Sequence, residues 1–146
     1  MFTKNRPISS FGLNQDFMSR VELIRVKTAG AAKTVSFSDE HLNDIMKARE
    51  IAWQLTEILD AGEVVNSDNE ALQPQLNIDF KEISRLNSAG LNGLIGMNTS
   101  ARNHGVRLVL VDVQDSIRDV FVVTRLERMF EFSNSMDLTD ATEASA

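Results

Sequence analysis

Residues 86–98 read LNSAGLNGLIGMN, with a serine at 88 and glycines at 90, 93 and 96. The leucines, the isoleucine and a leading hydroxyl residue predict a helix from Ala89 to Asn103, stopped at Gly105. Ser88 stands where an N-cap belongs, its oxygen placed to accept a backbone N–H of the first turn. Leu91 at the third helical position leaves no reciprocal capping box. The glycines need a reason, because each interior glycine costs about 0.5–1 kcal/mol relative to alanine. Leu91, Leu94, Ile95, Asn98 and Ala101 or Arg102 trace one face suited to a sheet. Gly93, Gly96, Met97 and Ser100 form a nearly bare stripe beside it. Two readings stay open for that stripe: close packing inside the domain, or a smooth surface for a partner. A second role for Ser88 is compatible with the first, since free N–H groups at a helix start receive a phosphate with little distortion.

The glycine spacing fits neither common nucleotide motif. A P-loop needs a lysine after its last glycine, and a dinucleotide fingerprint needs GxGxxG directly after the first strand. His41 and His104 lie far apart in a chain without cysteine, a poor basis for a metal site. No Ser/His/Asp set is assembled, and no cofactor is expected.

Outward from this stretch the chain alternates strand and helix. VELIRVK (21–27) and KTVSFS (33–38) alternate apolar and polar residues, and the small-residue turn at 29–32 predicts a hairpin. Ser38 before Asp39 and Glu40 opens a helix that runs to Ala61 and stops at Gly62. Leu42, Ile45, Ala52, Leu55 and Leu59 fall on one face of it, and Trp53, off the centre of that stripe, reads as a boundary packing residue. Residues 62–75 form a loop or partly a strand, and LNIDF (76–80) is a short strand. VRLVLVDV (106–113) is the strongest strand, apolar enough for a central position. Asp112 or Asp115 can cap a helix to Thr124, with Ile117, Val120, Phe121 and Thr124 inward. MFEF (129–132) is the last strand. The order β-β-α-β-α-β-α-β predicts an α/β domain: a mixed sheet with an N-terminal hairpin and helices packed on it.

The 146 residues suit one domain. Residues 1–19 read as a flexible lead without the apolar core of a signal peptide, 20–133 as the domain, and 134–146 as an acidic flexible tail. The net charge of −6 argues against a phosphate-backbone binder, so no direct nucleic acid is expected. No stretch approaches the roughly 18 apolar residues of a membrane span, so no membrane insertion is expected either. A cysteine-free composition is compatible with the cytoplasm.

The second half resembles the STAS domain of anti-sigma factor antagonists. The resemblance rests on four pieces in order: Asp79 at a strand end, Asn87-Ser88-Ala89-Gly90-Leu91 opening a helix, His104-Gly105 leading into Val106–Val113, and Thr124, Leu126 and Phe130 after the last helix. It covers residues 76–132 well and 21–61 loosely. It implies a partner-switching protein without catalysis of its own. Ser88 maps onto the phosphorylated serine, Asn87, Ala89, Gly90, Gly93, Gly96 and Met97 border the docking surface, and Asp79 supports it. The implied partners are an anti-sigma factor that is a serine kinase, and a serine phosphatase. One departure stands out: the family's Asp before the serine is Asn87 here, which removes a charge. The alternative is a STAS subunit of a signalling scaffold or of a lipid or anion transport complex, never phosphorylated.

Overall fold

The computed structural model describes residues 22–29, 32–64 and 73–135. The lead at 1–19, most of the loop at 62–75 and the tail beyond Ser135 lie outside the described residues. Strands β1 (Arg25–Ala29) and β2 (Ala32–Ser36) pair antiparallel, with Val26 opposite Val35. Strands β3 (Gln75–Asp79), β4 (Arg107–Val111) and β5 (Glu131–Ser133) then add in sequence order, each parallel to its predecessor. The result is the expected mixed sheet with a hairpin at one edge.

Side-chain alternation along the strands decides what the helices meet. Val35, Leu76, Ile78, Leu108 and Leu110 share the inner face and join Ile51, Leu55, Leu91, Leu94 and Met97 in one core. Each fully buried leucine or isoleucine contributes about 1.5–3 kcal/mol of transfer free energy.

The first long helix is not continuous as expected. Ser38 does cap a helix, accepting from the His41 N–H at 3.1 Å, but helix α1 (Asp39–Leu42) is a single turn. The chain breaks at Asn43 and Asp44, and helix α2 (Ile45–Asp60) starts afresh with the Asp44 carboxylate accepting from the Lys47 N–H at 3.0 Å. Gly62 ends it with φ 70°, as expected of a glycine stop. Helix α3 (Ser88–Asn103) begins one residue earlier than expected and is followed by Gly105, also at φ 70°.

Helix α4 (Asp115–Val123) departs from expectation in its cap. Gln114 holds the cap position without a side-chain bond, Asp115 lies inside the first turn, and the Asp112 carboxylate accepts instead from the Ser135 N–H. Ile117 and Phe121 face inward, but Thr124 is exposed. Its hydroxyl donates to the Val120 carbonyl at 2.7 Å, Arg125 turns through φ 63°, and the Leu126 N–H returns to the Phe121 carbonyl. Thr124, Leu126 and Phe130 thus form a helix stop that seats Phe130 edge-on against Phe121, ring centroids 5.3 Å apart. A short 3-10 turn, Glu127–Met129, occupies the start of the expected last strand.

Candidate functional site

Helices α2 and α3 run parallel, matched along their whole length. Asn43 bonds Asn87, Thr56 bonds Ser100 and His104 bonds Asp60, each pair 44 residues apart in sequence. Between them a Cβ placed on Gly93 would lie 3.2 Å from the Ala48 Cβ, so the two helices meet almost backbone to backbone there.

The head of α3 is built differently from the sequence expectation. The N-cap is Asn87, not Ser88: its Oδ1 accepts from the Gly90 N–H at 3.0 Å. Because an N–H can only donate, this bond turns the amide nitrogen the other way. There Nδ2 donates to the Asn43 carbonyl at 3.0 Å. The Asn87 backbone N–H donates in return to the Asn43 Oδ1 at 2.8 Å. The Asn43 amide also donates to the Asp39 and Arg85 carbonyls. The break between α1 and α2 is therefore where the chain turns to clasp α3. An aspartate at 87 would keep the cap but could not donate to Asn43 when ionised. That is a structural reason for the asparagine at this family position.

Ser88, relieved of capping, is the first residue of α3 and is exposed. It stands at one end of a groove of about 550 Å³ between the helices, lined from α3 by Ser88, Ala89, Asn92, Gly93, Gly96 and Ser100. The other wall is α2, through Ile45, Ala48, Arg49, Ala52, Trp53 and Thr56. Ile45 is 67% exposed and Trp53 59%, large apolar surfaces open to water. Among the described residues Arg49 is the one charged side chain in the lining.

The expected site residues divide. Ser88, Ala89, Gly93 and Gly96 line the groove together. Asn87 clasps its head from outside. Gly90 is buried, and a Cβ there would lie 2.7 Å from Leu86 Cδ1 and 2.8 Å from Asn43 Oδ1, so its smallness protects the clasp. Met97 is fully buried in the core and borders no surface. This is a correction, because the real turn of the helix rotates it under the sheet-facing side. Asp79 is not in the groove. Its carboxylate accepts from the Lys81 N–H at 3.0 Å and opens onto a separate hollow with Ser38, Asp39 and Glu82. Of the three glycines at 90, 93 and 96, Gly96 is the one with open space where a Cβ would go. Close packing inside the domain thus accounts for Gly93, while Gly96 lies on an open surface.

The sequence reading missed the α2 wall. Ile45 and Ala52, expected on the inner stripe with Leu42, Leu55 and Leu59, line this wall instead, at helical spacing with Arg49, Trp53 and Thr56, and Ile45 is exposed. Trp53 is a groove wall rather than a packed boundary residue.

Ion pairs join Lys81 to Asp79, His104 to Asp60 and Arg107 to Glu131, none of which lines the groove. At its far end His104 places Nδ1 2.7 Å from the Ser100 carbonyl and Nε2 2.7 Å from Asp60. The Ser100 carbonyl and then the Asp60 carboxylate raise the His104 pKa above its ordinary value. Asp39 is held below the usual carboxylate range by the Ser84 hydroxyl and then by the Ser84 N–H, which ties the segment before α3 to α1.

These features define a class: a small mixed-sheet α/β domain presenting an apolar groove between two parallel helices, with a free serine at its head. The STAS domain family model matches residues 25–139, and the chain belongs to the STAS family. Three solved structures are similar. A STAS-domain anti-sigma-factor antagonist from Planctomyces limnophilus has a TM-score of 0.59 at 15% identity, over 83% of this chain and 97% of its own. The Thermotoga maritima protein TM1081 has a TM-score of 0.65 at 16% identity, over 85% and 89%. The anti-sigma factor antagonist SpoIIAA of Bacillus, in its unphosphorylated form, has a TM-score of 0.59 at 14% identity, over 83% and 96%. At these identities the likeness is one of fold. A comparison with curated proteins finds no match. Among the described residues no helix is long and apolar enough to cross a membrane.

Proposed function

We propose that this protein is an anti-sigma factor antagonist that works in the cytoplasm by partner switching, with Ser88 as the switch and no catalysis of its own. The observation that carries the reading is the exposed Ser88, which lines the head of an apolar groove and is not needed to cap its helix. In the unmodified form the groove between α2 and α3 receives an anti-sigma factor that is also a serine kinase. On phosphorylation the Ser88 Oγ attacks the γ-phosphorus of ATP, the bond to the ADP oxygen breaks, and the hydroxyl proton leaves to the kinase's base. The added dianionic group then opposes docking, and a serine phosphatase reverses the step. The similar structures support this reading through their names as antagonists and through their shared fold.

Incubation with the cognate serine kinase and ATP, followed by mass spectrometry, tests the switch. The expected result is a single phosphate on Ser88, abolished in Ser88→Ala. An active kinase that leaves Ser88 unmodified would overturn it. In that case Asn87, which removes the family's carboxylate beside the serine, favours the second reading: a STAS subunit that binds a scaffold or transport partner constitutively.

A further inference from the structure

We infer that Arg49 is the cation that receives the phosphate carried by Ser88, and that this pairing across the α2–α3 groove closes the face offered to the partner. The inference rests on the switch reading above and adds how the modified state is held.

The matched helices make the geometry specific. With a 44-residue offset, Ser88 lies level with Asp44, and Arg49 lies five residues further along α2. Five residues are about 7 Å of helical rise. Helical side chains lean toward the N-terminus, which is the direction in which Ser88 lies from Arg49. The Gly93–Ala48 contact keeps the helix axes close. Both residues line the same groove, and Arg49 enters no ion pair among the described residues.

Charges nearby sort in the same direction. The carboxylate at the level of Ser88 is Asp44, and it is turned into the first turn of α2, accepting from the Lys47 N–H. Among the described residues Arg49 is the only charged group in the groove lining, set between the apolar Ile45 and Trp53. An apolar setting strengthens a guanidinium–phosphate pair, and arginine matches phosphate oxygens in a bidentate fork. Phosphoserine carries about −1.5 to −2 charges at pH 7, with a second pKa near 6. A pair formed there would lie over the head of the groove, which Ile45 and Ala89 also line.

The test places phosphoserine at 88 genetically in the full chain, so it needs neither kinase nor partner. The ³¹P resonance is titrated in this protein and in its Arg49→Gln, Arg49→Lys and Arg49→Glu variants. Arg49 is exposed, so each variant is expected to fold, which circular dichroism checks. The expected result is a second phosphate pKa lower by about 0.5 or more in the parent than in Arg49→Gln, and highest in Arg49→Glu. Arg49→Lys keeps part of the depression. Identical titrations in the parent and in Arg49→Gln would overturn the inference. The kinase experiment separately decides whether Ser88 is the physiological acceptor.

Discussion

Asn43 and Asn87 hold each other by two hydrogen bonds, one at 2.8 Å from the Asn87 backbone to the Asn43 side chain and one at 3.0 Å from the Asn87 side chain to the Asn43 backbone. This clasp joins the break before α2 to the head of α3, and so sets the mouth of the groove. Asn87→Ala removes the cap and one donor, and the expected loss in urea unfolding is about 1–3 kcal/mol. Asn87→Asp keeps the cap acceptor but sets a carboxylate against the Asn43 carbonyl, and about 1–2 kcal/mol is expected to be lost. An Asn87→Asp protein as stable as the parent would show that the donor bond contributes nothing.

Ser88→Ala is expected to leave stability within about 0.5 kcal/mol, because the hydroxyl is exposed and caps nothing. Thermal and urea denaturation check this. A loss of the size of Asn87→Ala would restore Ser88 to the capping role.

The glycines separate packing from surface. Gly93→Ala places a methyl 3.2 Å from Ala48 and pushes the helices apart, with an expected loss of about 1–3 kcal/mol. Gly96→Ala meets nothing within 4 Å and should gain about 0.5–1 kcal/mol from helix propensity. The same methyl stands in the groove, so partner affinity should fall while stability rises. Calorimetric binding and unfolding measured on one preparation decide the matter, and a Gly96→Ala protein that binds its partner unchanged removes Gly96 from the docking face.

His104 predicts a pH dependence at the far end of the groove. Both ring nitrogens face oxygen acceptors, Ser100 and Asp60, so both need a proton to donate. The bond to the Ser100 carbonyl, and then that to Asp60, raise the folded pKa above 6.5. The stabilisation is fully present below the unfolded value and is lost as pH rises through the folded one. NMR titration should place His104 above 6.5, and Asp60→Asn should lower it. The stability difference between parent and Asp60→Asn should be larger at about pH 5 than at about pH 9. A ring titrating at its ordinary value in the parent would refute the double-donor geometry.

Much of this could be read along the chain. The alternation in KTVSFS, the apolar run VRLVLVDV and the glycine stops at 62 and 105 report local backbone preference and one-dimensional pattern, and each element is found within a few residues of its expected place. The motif from Asn87 to Leu91, in order with Asp79, His104-Gly105 and Thr124, was enough to indicate the STAS family. What the pattern could not carry was any choice between neighbours of similar chemistry. Asn87 and Ser88 are both good caps, and Asp112, Gln114 and Asp115 all border a helix start.

Those choices were made by contacts between residues distant in sequence. Asn87 became the cap because Asn43 waits 44 residues upstream for its other side. That contact also broke the first helix and freed Ser88 for the solvent. Met97 went into the core and Gly96 to the surface because α3 is rotated by its packing on the sheet and on Ala48. Trp53 became a groove wall because α2 has a second face that only α3 defines. Local sequence determines which elements form, since hydrogen bonding and side-chain periodicity act over a few residues. Which serine is free, which glycine is bare and which arginine can reach it depend on how two helices lie against each other, and only the tertiary structure decides that.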